Sequence, residues 1–300
     1  MTEKPLVSVI INCFNGERYL RDALNSIINQ TYQNWEIIFW DNLSTDKSAE
    51  IFKSYKDLRF KYYCATSHSK ILYKAKNLAL KKARGDFIAF LDVDDWWMSH
   101  KLEVQIPLFK DTKVGLVYGN VLRFFTRENK KIIYRKKLPA GNIKKELIDD
   151  YVIGSASYVI RKKTLQSLDY LFDNRLHIIG DFDLNIRIAS NWRIECIQEP
   201  IAVYRIHDKN ESILKKNIEV QELKIWYDEM KKKSTFLNDK ELKKISIKIS
   251  YLEIMKTILE EDFRKSLSLI IKYPLSFFKI KLIAFLFLPQ FIKKNFKYKI

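Results

Sequence analysis

Three carboxylates crowd the end of one short apolar segment of this sequence. Asp92, Asp94 and Asp95 follow directly after the run FIAFL. Carboxylates this close repel one another unless a cation lies among them. Oxygen ligands favour the hard divalent ions Mg²⁺ and Mn²⁺, which keep bound waters and recruit substrate phosphates. The spacing therefore predicts that Asp92 and Asp94 bind one divalent cation. The alternative is a solvated acidic turn that caps the next helix.

Motifs for other kinds of phosphate and hydrolytic chemistry are missing from the sequence. No GxGxxG follows a predicted strand, no GxxxxGK[ST] occurs, and only seven glycines are present in 300 residues. HExxH and Gx[SC]xG are absent as well. These absences argue against a dinucleotide dehydrogenase, a P-loop NTPase, a zinc protease and a serine hydrolase. A phosphate-bearing ligand would instead be held by a metal ion and by basic side chains.

The elements that position these carboxylates are indicated by the periodicity of apolar residues. Four apolar runs rich in Val, Ile and Phe predict strands, and the segments between them have the spacing of amphipathic helices. The predicted strands are 6–11, 35–40, 60–63 and 87–91, and the predicted helices are 19–30, 44–55 and 72–83. Strands that alternate with helices indicate an α/β fold, with a parallel sheet and helices on both faces.

Sheets of this kind bind ligands outside the carboxyl ends of their strands. Polar side chains follow three of the predicted strands at that edge. They are Asn12 and Asn15 after the first strand, Asp41 after the second, and Asp92 and Asp94 after the fourth. We therefore expect three polar clusters to converge on one crevice.

Residues 7–103 resemble the nucleotide-sugar half of inverting family-2 glycosyltransferases of the bacterial surface-polysaccharide type. The likeness rests on VSVIIN from Val7, EIIFWD from Glu36, the Lys76-Asn77 pair and RGDFIAFLDVDD from Arg84. It extends in weaker form to about residue 212. The resemblance implies the GT-A fold, in which a Rossmann-like, mostly parallel central sheet is flanked by helices.

The resemblance also implies a donor site in the first half of the chain. Asp41 falls where the family contacts the uracil or another base of the donor. Asn12, Asn15 and Val93 are expected at the same nucleotide site. Lys76 falls where an Arg-Asn pair is common, so it is a candidate for binding the donor phosphates.

The resemblance strengthens the metal prediction and exposes one departure. Asp92 and Asp94 match the acidic pair with which the family holds Mn²⁺ or Mg²⁺. The dipeptide Asn42-Leu43 stands where the family usually has Asp-Gly. The turn after the second strand is therefore expected to differ from the family pattern.

The second half of the chain supplies the candidate base. GDFDLNIR, beginning at Gly180, resembles the family segment EDYDLWLR, whose second acid is the catalytic base and corresponds to Asp181. Asp183 is the alternative base if the register differs. A structural role is also open, because Asp181 could cap a helix and Asp183 could be an acid of its first turn.

A second segment of this half resembles the part of the family that faces the diphosphate and the metal. YRIH at residues 204–207, followed by Ser212, is similar to the family's YRxH…S pattern. Arg205 and His207 are therefore candidates for the phosphates, and His207 also for the metal. The alternative for His207 is an ordinary surface histidine.

Inverting transfer requires a base that removes the acceptor proton while the hydroxyl attacks the anomeric carbon. The leaving nucleoside diphosphate gains negative charge, which a divalent cation and basic side chains stabilise. We expect a metal-dependent glycosyltransferase that moves a sugar from a nucleotide donor, with UDP as the nucleotide, to a hydroxyl of a growing surface glycan or lipid-linked glycan. The alternatives are a sugar-nucleotidyltransferase, which would need a Gly-rich loop after the first strand, and a catalytically inactive scaffold of the same fold.

The formal net charge is +18, and the excess is concentrated at the end of the sequence. Residues 263–300 carry nine Lys or Arg and no Asp or Glu, and they are rich in Leu, Ile and Phe. Such a segment predicts contact with an anionic membrane surface. The alternative is a helical hairpin packed on the main domain with lysines at its rim. Nucleic acid is disfavoured, because long aliphatic side chains alternate with the charges.

The pattern changes near residue 210, which predicts a GT-A domain over 1–210 and a basic helical region over 211–300. The longest apolar run of the tail, 282–292, is too short to span a bilayer. Three widely spaced cysteines and an N-terminus without a signal-peptide pattern indicate a reducing cytoplasm. We therefore expect a cytoplasmic protein that lies on the inner face of the cell membrane.

Overall fold

The computed structural model describes residues 4–233, 235–289 and 292–293, apart from the side chains of residues 212, 213, 216 and 217. The predicted contribution of Ser212 therefore lies outside the described side chains. The chain divides into two compact units, one ending at His207 and one beginning at Asp208. This division falls close to residue 210, where the sequence pattern changes.

The first unit is built around one mixed β-sheet. Its strands, in chain order, are β1 Val7–Cys13, β2 Trp35–Asp41, β3 Phe60–Cys64, β4 Phe87–Phe90, β5 Trp96–Trp97, β6 Val114–Phe125, β7 Lys130–Ile133, β8 Val159–Arg161 and β9 Arg193–Ile206. They lie in the order β3-β2-β1-β4-β8-β6-β9-β5, and β7 pairs with β6. The four strands predicted from the sequence are present and are parallel to one another.

The strands that follow in sequence change the character of the sheet. β8 is antiparallel to both β4 and β6, and β5 is antiparallel to β9, whereas β6 and β9 are parallel. The sheet is therefore mixed rather than mostly parallel. The second half carries no regular alternation of strands and helices, so its pairing was not visible in the apolar periodicity.

The helices of the first unit cover the sheet and connect its strands. They are α1 Leu20–Ile28, α2 Ser48–Ser54, α3 Leu72–Leu80, α4 Lys101–Gln105, α5 Lys144–Asp149, α6 Lys162–Gln166 and α7 Gly180–Asn191. Val7, Val9 and Ile11 of β1 are fully buried in the same apolar cluster as Leu24 and Ile27 of α1. This burial is the reason why a continuous apolar run, rather than an alternating one, forms the central strand.

The register of the parallel strands brings their carboxyl ends to one edge. Cys13 at the end of β1 pairs with Asp41 at the end of β2, and Asp41 pairs with Cys64 at the end of β3. Leu91 follows β4 and donates its backbone N–H to the carbonyl of Ile10 in β1. The polar residues that follow β1, β2 and β4 therefore lie along the same edge, as predicted.

A polar network ties the opposite edge of the sheet together. The Ser8 hydroxyl donates to Glu36 Oε1 at 2.7 Å and accepts from the Gly85 N–H at 2.8 Å. Arg84 Nη2 forms an ion pair with Glu36 Oε2 at 2.7 Å. A Cβ at Gly85 would lie 2.6 Å from the backbone nitrogen of Ser8 and 2.7 Å from the carbonyl oxygen of Leu6. Only glycine allows β4 to begin this close to β1.

The second unit consists of helices. They are α8 Glu211–Leu214, α9 Lys216–Lys233, α10 Asp239–Leu259, α11 Phe263–Lys272 and α12 Phe277–Phe287. Asn238 and Glu241 form a capping box at the start of α10. α10, α11 and α12 share a core of their own, which includes Ile258, Ile270 and Leu282. Among the described residues, no helix combines the length and the apolar character that a transmembrane span requires.

We predict that Gly85→Ala lowers the free energy of unfolding by about 1–3 kcal/mol, because its methyl group meets backbone atoms of β1 that have no room to move. Urea unfolding followed by circular dichroism measures the effect. Gly154→Ala is the matched control, since Gly154 has a φ of −85° and no atom lies within 4 Å of the added Cβ. Equal stability of the two variants would contradict the close approach of β4 to β1.

Candidate functional site

The site begins at the end of β1, where a buried amide has no partner. Both side-chain atoms of Asn12, Nδ2 and Oδ1, are buried and form no hydrogen bond with the described residues. A buried amide without a hydrogen bond is costly, because it loses water and gains nothing in return. Its position at the ligand-binding edge makes Asn12 a candidate for contact with a bound molecule.

Asp41, at the end of β2, is held in one orientation by its two carboxylate oxygens. Oδ1 accepts the Ser44 N–H at 2.8 Å, and Oδ2 accepts the Tyr62 hydroxyl at 2.7 Å. The loop after it turns through Leu43, whose φ of 65° is in the left-handed region that favours glycine. The chain thus keeps the turn geometry that a glycine would allow, although Asn42-Leu43 replaces the usual Asp-Gly.

Asn15 joins the loop after β1 to the loop after β2. Its backbone φ is 55°, and its Oδ1 accepts the Thr45 N–H at 2.8 Å. Its own N–H donates to the Ser44 hydroxyl at 3.0 Å. Asn15 therefore shapes the edge of the crevice with its side-chain carbonyl.

Val93 packs against the loop that follows β1. A Cβ at Gly16 would lie 3.0 Å from Val93 Cγ2 and 3.0 Å from Cys13 Sγ. The loop and the acidic turn are therefore packed against each other with little space between them. The position of Val93 makes the acidic turn and the end of β1 one continuous surface.

A buried cation compensates the first carboxylate of the acidic turn. Lys76 of α3 is buried, and its Nζ lies 3.6 Å from Asp92 Oδ1 and donates to the Ser155 hydroxyl at 3.1 Å. Burial by itself lowers the pKa of Lys76, but the negative charges of Asp92 and Asp181 outweigh it, so the pKa is raised and the ammonium stays charged. Lys76 is therefore a fixed positive charge in the crevice.

The pKa of Asp92 is shifted by burial and by neighbouring charges. Burial raises it, the Lys76 ammonium opposes this rise, and the charges of Asp94 and Asp181 add to it. The net pKa of Asp92 is raised. The charged form of Asp92 is therefore disfavoured first by burial and then by its acidic neighbours.

Asp94 and Asp95 are held by the end of β9. His207 Nε2 lies 3.1 Å from Asp94 Oδ2. Asp95 is buried, and its Oδ1 accepts the Arg205 N–H at 2.9 Å. Burial raises the pKa of Asp95 well above its usual range, and the charges of Asp94 and Asp92 raise it further. The chain thus brings His207 to the acidic turn from more than a hundred residues away, as the sequence prediction requires.

Arg205 packs against the acidic turn and contacts its backbone. Its Nε donates to the Asp94 carbonyl at 2.7 Å, and its Nη2 forms an ion pair with Asp22 of α1 at 2.7 Å. The guanidinium also lies over the rings of Tyr19 and Trp96, at 4.2 Å and 4.5 Å from their centroids. These contacts give Arg205 a role in positioning the turn, and its predicted contact with the donor phosphates stays a prediction.

The two candidate bases on α7 have different environments. Asp181 is half-buried, and its Oδ1 accepts the Tyr158 hydroxyl at 2.7 Å. The Asp181 charge acts on Lys76 and Asp92, which places it beside the acidic turn. Burial and the charge of Asp181 raise the pKa of Tyr158 well above its usual range, so the phenol stays a hydrogen-bond donor.

Asp183 is fully buried and committed to an ion pair. Its Oδ2 lies 2.6 Å from Nη2 of Arg187, one turn further along α7, and its Oδ1 accepts the Tyr170 hydroxyl at 3.1 Å. Arg187 also donates to the carbonyl oxygens of Tyr170 and Leu171. Asp183 is therefore tied to Arg187 and Tyr170, whereas the half-buried Asp181 contacts Tyr158.

The residues fit a divalent cation that is only partly ligated by protein. No group of three or more His, Cys, Asp or Glu side chains within the described residues is arranged to hold a metal ion by itself. Asp92 is paired with Lys76, and Asp94 with His207. Mg²⁺ and Mn²⁺ usually keep waters and substrate phosphates beside one or two protein carboxylates. The repulsion within the acidic turn is the electrostatic condition that such an ion relieves.

Several residues around the site gave no signal in the sequence. Ser155 contacts Lys76, Tyr151 contacts α7, and Tyr158 contacts Asp181. All three lie in a stretch without a recognised motif. Tyr73 of α3 is also buried near Asp181. Burial raises the pKa of Tyr73, and the charge of Asp181 raises it further. The sequence signal for these residues is the presence of tyrosines near residue 73 and in the segment 151–158.

Known proteins share this fold and sequence pattern. Residues 8–170 match the family model described as glycosyl transferase family 2. The E. coli enzyme WfgD, a UDP-Glc:alpha-D-GlcNAc-diphosphoundecaprenol beta-1,3-glucosyltransferase, is 32% identical over 167 residues, which are 56% of this chain and 64% of WfgD. The match thus spans less than two thirds of that relative.

Two solved structures share the fold. S. aureus TarS 1-349 in complex with UDP-GlcNAc has a TM-score of 0.69 at 18% identity, and the match covers 89% of this chain and 81% of that chain. The mannosyltransferase PcManGT from Pyrobaculum calidifontis, in complex with GDP-Man and Mn²⁺, has a TM-score of 0.66 at 15% identity and covers 99% and 85% of the two chains. The chain therefore belongs to glycosyl transferase family 2, a family of transferases, and has the GT-A fold.

We predict that Asp183→Asn lowers the free energy of unfolding by about 3–5 kcal/mol, because it leaves the Arg187 charge buried without its carboxylate. Asp181→Asn is the matched control: its amide can still accept the Tyr158 hydrogen bond, so its stability is expected to stay near that of the unmodified protein. Urea unfolding of both variants measures the difference. Greater destabilisation by Asp181→Asn would reverse the assignment of the two acids.

Proposed function

We propose that the protein transfers a sugar, with inversion, from a nucleotide-sugar donor to a hydroxyl of a surface glycan or of its lipid-linked precursor. The observation that carries the proposal is the convergence of a buried cation, an acidic turn and a half-buried carboxylate at one edge of the sheet. Lys76, Asp92 and Asp181 act on one another electrostatically there. WfgD, which uses UDP-Glc, and the complex of TarS with UDP-GlcNAc support UDP as the donor nucleotide.

The donor is proposed to lie across the ends of β1, β2 and β4. Asp41, which Ser44 and Tyr62 hold in one orientation, is proposed to recognise the base together with the unpartnered amide of Asn12. Asn15 and Val93 shape the walls of this crevice. Lys76 supplies a charged ammonium for the diphosphate, and Asp92 and the Ser155 hydroxyl hold this ammonium in place.

A divalent cation is proposed to complete the diphosphate site. Asp92, Asp94 and His207 would hold it, and Mn²⁺ in the PcManGT complex supports this choice without fixing the ion here. When bound, the ion neutralises the charge that develops on the departing nucleoside diphosphate. The protein's own part is to keep the acidic turn in place, which Arg205 does through the Asp94 carbonyl, the Asp95 carboxylate and Asp22.

Asp181 is proposed to act as the base. Tyr158 holds Oδ1, so that Oδ2 is left to accept the proton of the acceptor hydroxyl. A base on the opposite side of the sugar from the leaving diphosphate yields inversion at the anomeric carbon.

Contact with an anionic membrane surface is proposed for the second unit. Phe277, Ile280 and Phe287 of α12 and Ile271 of α11 are each more than 60% exposed, although the same helices bury Leu282 and Phe285. No acidic residue occurs from residue 263 onward, so the charge of this surface is purely basic. The helices thus have their own core and a second, exposed apolar face, which suits lipid.

Asp94→Asn is predicted to weaken Mn²⁺-dependent UDP binding by at least about tenfold, because the turn loses the carboxylate that His207 contacts. Isothermal titration of UDP with and without Mn²⁺ measures it. Asp111→Asn, a partly exposed carboxylate paired with Arg193, is the control. If UDP binds the unmodified protein equally well with and without Mn²⁺, the metal part of the proposal is wrong.

Asp181→Asn is predicted to leave the affinity for the donor unchanged and to lower turnover by about 10²–10⁴, since it removes the base and keeps the shape of the site. Stopped assays that measure UDP release and the anomeric configuration of the product provide the test. Release of pyrophosphate from a nucleoside triphosphate would favour a nucleotidyltransferase instead. Loss of donor binding in the variant would assign Asp181 to the nucleotide site.

The double variant Phe277→Ser/Ile280→Ser is predicted to bind vesicles containing phosphatidylglycerol at least about tenfold more weakly, because it removes two exposed apolar side chains that would enter the lipid. Vesicle co-sedimentation measures the change. Leu58→Ser, which replaces an apolar residue of the first unit that is 89% exposed, is the control. Unchanged binding by the double variant would exclude α12 as the lipid contact.

A further inference from the structure

A second cavity opens beside the acidic turn, on the side away from the nucleotide residues of β1 and β2. Its volume is about 180 Å³. It is lined by Asp92 and Asp95 of the acidic turn and by the rings of Tyr134, Tyr151 and Tyr204. Aromatic walls with a few convergent polar groups are typical of small-molecule sites.

The cavity reaches the helix that carries the proposed base. The hydroxyl of Tyr151 accepts a hydrogen bond from Asn185 Nδ2 of α7 at 2.8 Å. The charge of Asp181 contributes to the raised pKa of Tyr151, after the larger effect of burial. A hydroxyl-bearing ligand in this cavity would therefore lie between the acidic turn and α7, where an acceptor is needed.

The mouth of the cavity carries a strongly basic hairpin, formed by β6 and β7 and the residues that follow β7. Between residues 123 and 137 the only acid is Glu128. The basic residues of this segment are Arg123, Arg127, Lys130, Lys131, Arg135, Lys136 and Lys137. We call this segment the basic hairpin.

Strand register fixes which basic side chains lie on the side of the cavity. Arg123 pairs with Tyr204 of β9 and lines the cavity, and Lys130 pairs with Phe125, two residues further along β6. Because side chains alternate between the faces of a sheet, Arg123 and Lys130 share one face. Lys131 is on the other face, where its Nζ lies 5.6 Å from the ring centroid of Trp96.

The two basic side chains on the cavity side are Arg123 and Lys130. Within the described part of the chain, neither Arg123 nor Lys130 has a carboxylate partner. The Arg123 guanidinium lies over the Tyr134 ring at 4.2 Å, and Arg135, which is paired with Asp150, lies near the same ring at 5.0 Å. Tyr134 thus holds two guanidinium groups at the rim of a cavity with an acidic lining.

We propose that this cavity binds the acceptor and that Arg123 and Lys130 bind a phosphate or diphosphate group carried next to the acceptor sugar. This inference rests on the proposed glycosyl transfer. A ligand with a hydroxyl at one end and an anion at the other matches the acidic lining and the basic rim. The planar guanidinium of Arg123 suits phosphate oxygens, which it can bind in pairs.

A diphosphate at this rim could come from the acceptor or from the donor nucleotide. The donor diphosphate already has two proposed partners, which are Lys76 beside Asp92 and the cation held by the acidic turn. The rim cations are left for the second substrate. WfgD, whose name gives a diphosphoundecaprenol-linked sugar as its acceptor, shows that relatives use acceptors of this chemistry.

The test uses octyl diphosphate as a soluble probe, so that no membrane is present. Its dissociation constant is measured by isothermal titration, with and without saturating UDP and Mn²⁺, for the unmodified protein and for Arg123→Gln/Lys130→Gln. We expect the double variant to bind the probe at least about tenfold more weakly and UDP with unchanged affinity. Lys131→Gln, which changes the opposite face of the same hairpin, should bind both ligands normally.

The outcomes separate the possible roles of the rim. A loss of UDP affinity in the double variant would assign the rim to the donor and overturn the proposal. Equal affinity of all three proteins for octyl diphosphate would overturn it as well. Arg123→Lys should restore part of the affinity, because it keeps the charge and loses only the paired hydrogen bonds. If UDP fails to bind at all while the probe still depends on Arg123, the donor assignment fails and the rim proposal stands.

Discussion

The arrangement of this protein depends on how negative charge is balanced at the end of β4. Asp92, Asp94 and Asp95 would repel one another without support. Two distant parts of the chain supply that support: α3 through Lys76, and the end of β9 through Arg205 and His207. Burial, and then the neighbouring carboxylates, raise the pKa of Asp92 and that of Asp95. A cation that arrives with a phosphate-bearing substrate would relieve the repulsion among these carboxylates.

The same balance organises the chemistry around it. Arg205 fixes the backbone of the acidic turn, and Lys76 fixes Asp92 and reaches Ser155. Because Ser155 and Asp95 line the second cavity, the donor side and the proposed acceptor side share one electrostatic centre. The basic hairpin extends from the strand that pairs with β9, so the residues that hold the turn and those that face the second cavity are carried by one pair of strands.

The parallel half of the sheet was within reach of the sequence. Buried parallel strands are continuous apolar runs, and their carboxyl ends must lie at one edge, so Asn12, Asp41 and Asp92 could be placed together before any coordinates. Family resemblance added His207 and Asp181, which no local pattern assigns. The mixed pairing of β5 to β9 was not accessible, because short antiparallel strands without helical crossovers leave no periodic signal.

Local composition and spacing were enough to predict the first strands, the acidic turn and the concentration of basic residues in the tail. The different contacts of the two acids of α7 depend on the tertiary structure. Asp181 and Asp183 are two residues apart, which turns their side chains by about 200° on a helix, so that one meets Tyr158 and the other Arg187. The tertiary structure also places Arg205 against the acidic turn, and it places Arg123 and Lys130 on the same face of the sheet beside a cavity. Such assignments depend on strand register and helix rotation, which bring together residues that are far apart in sequence.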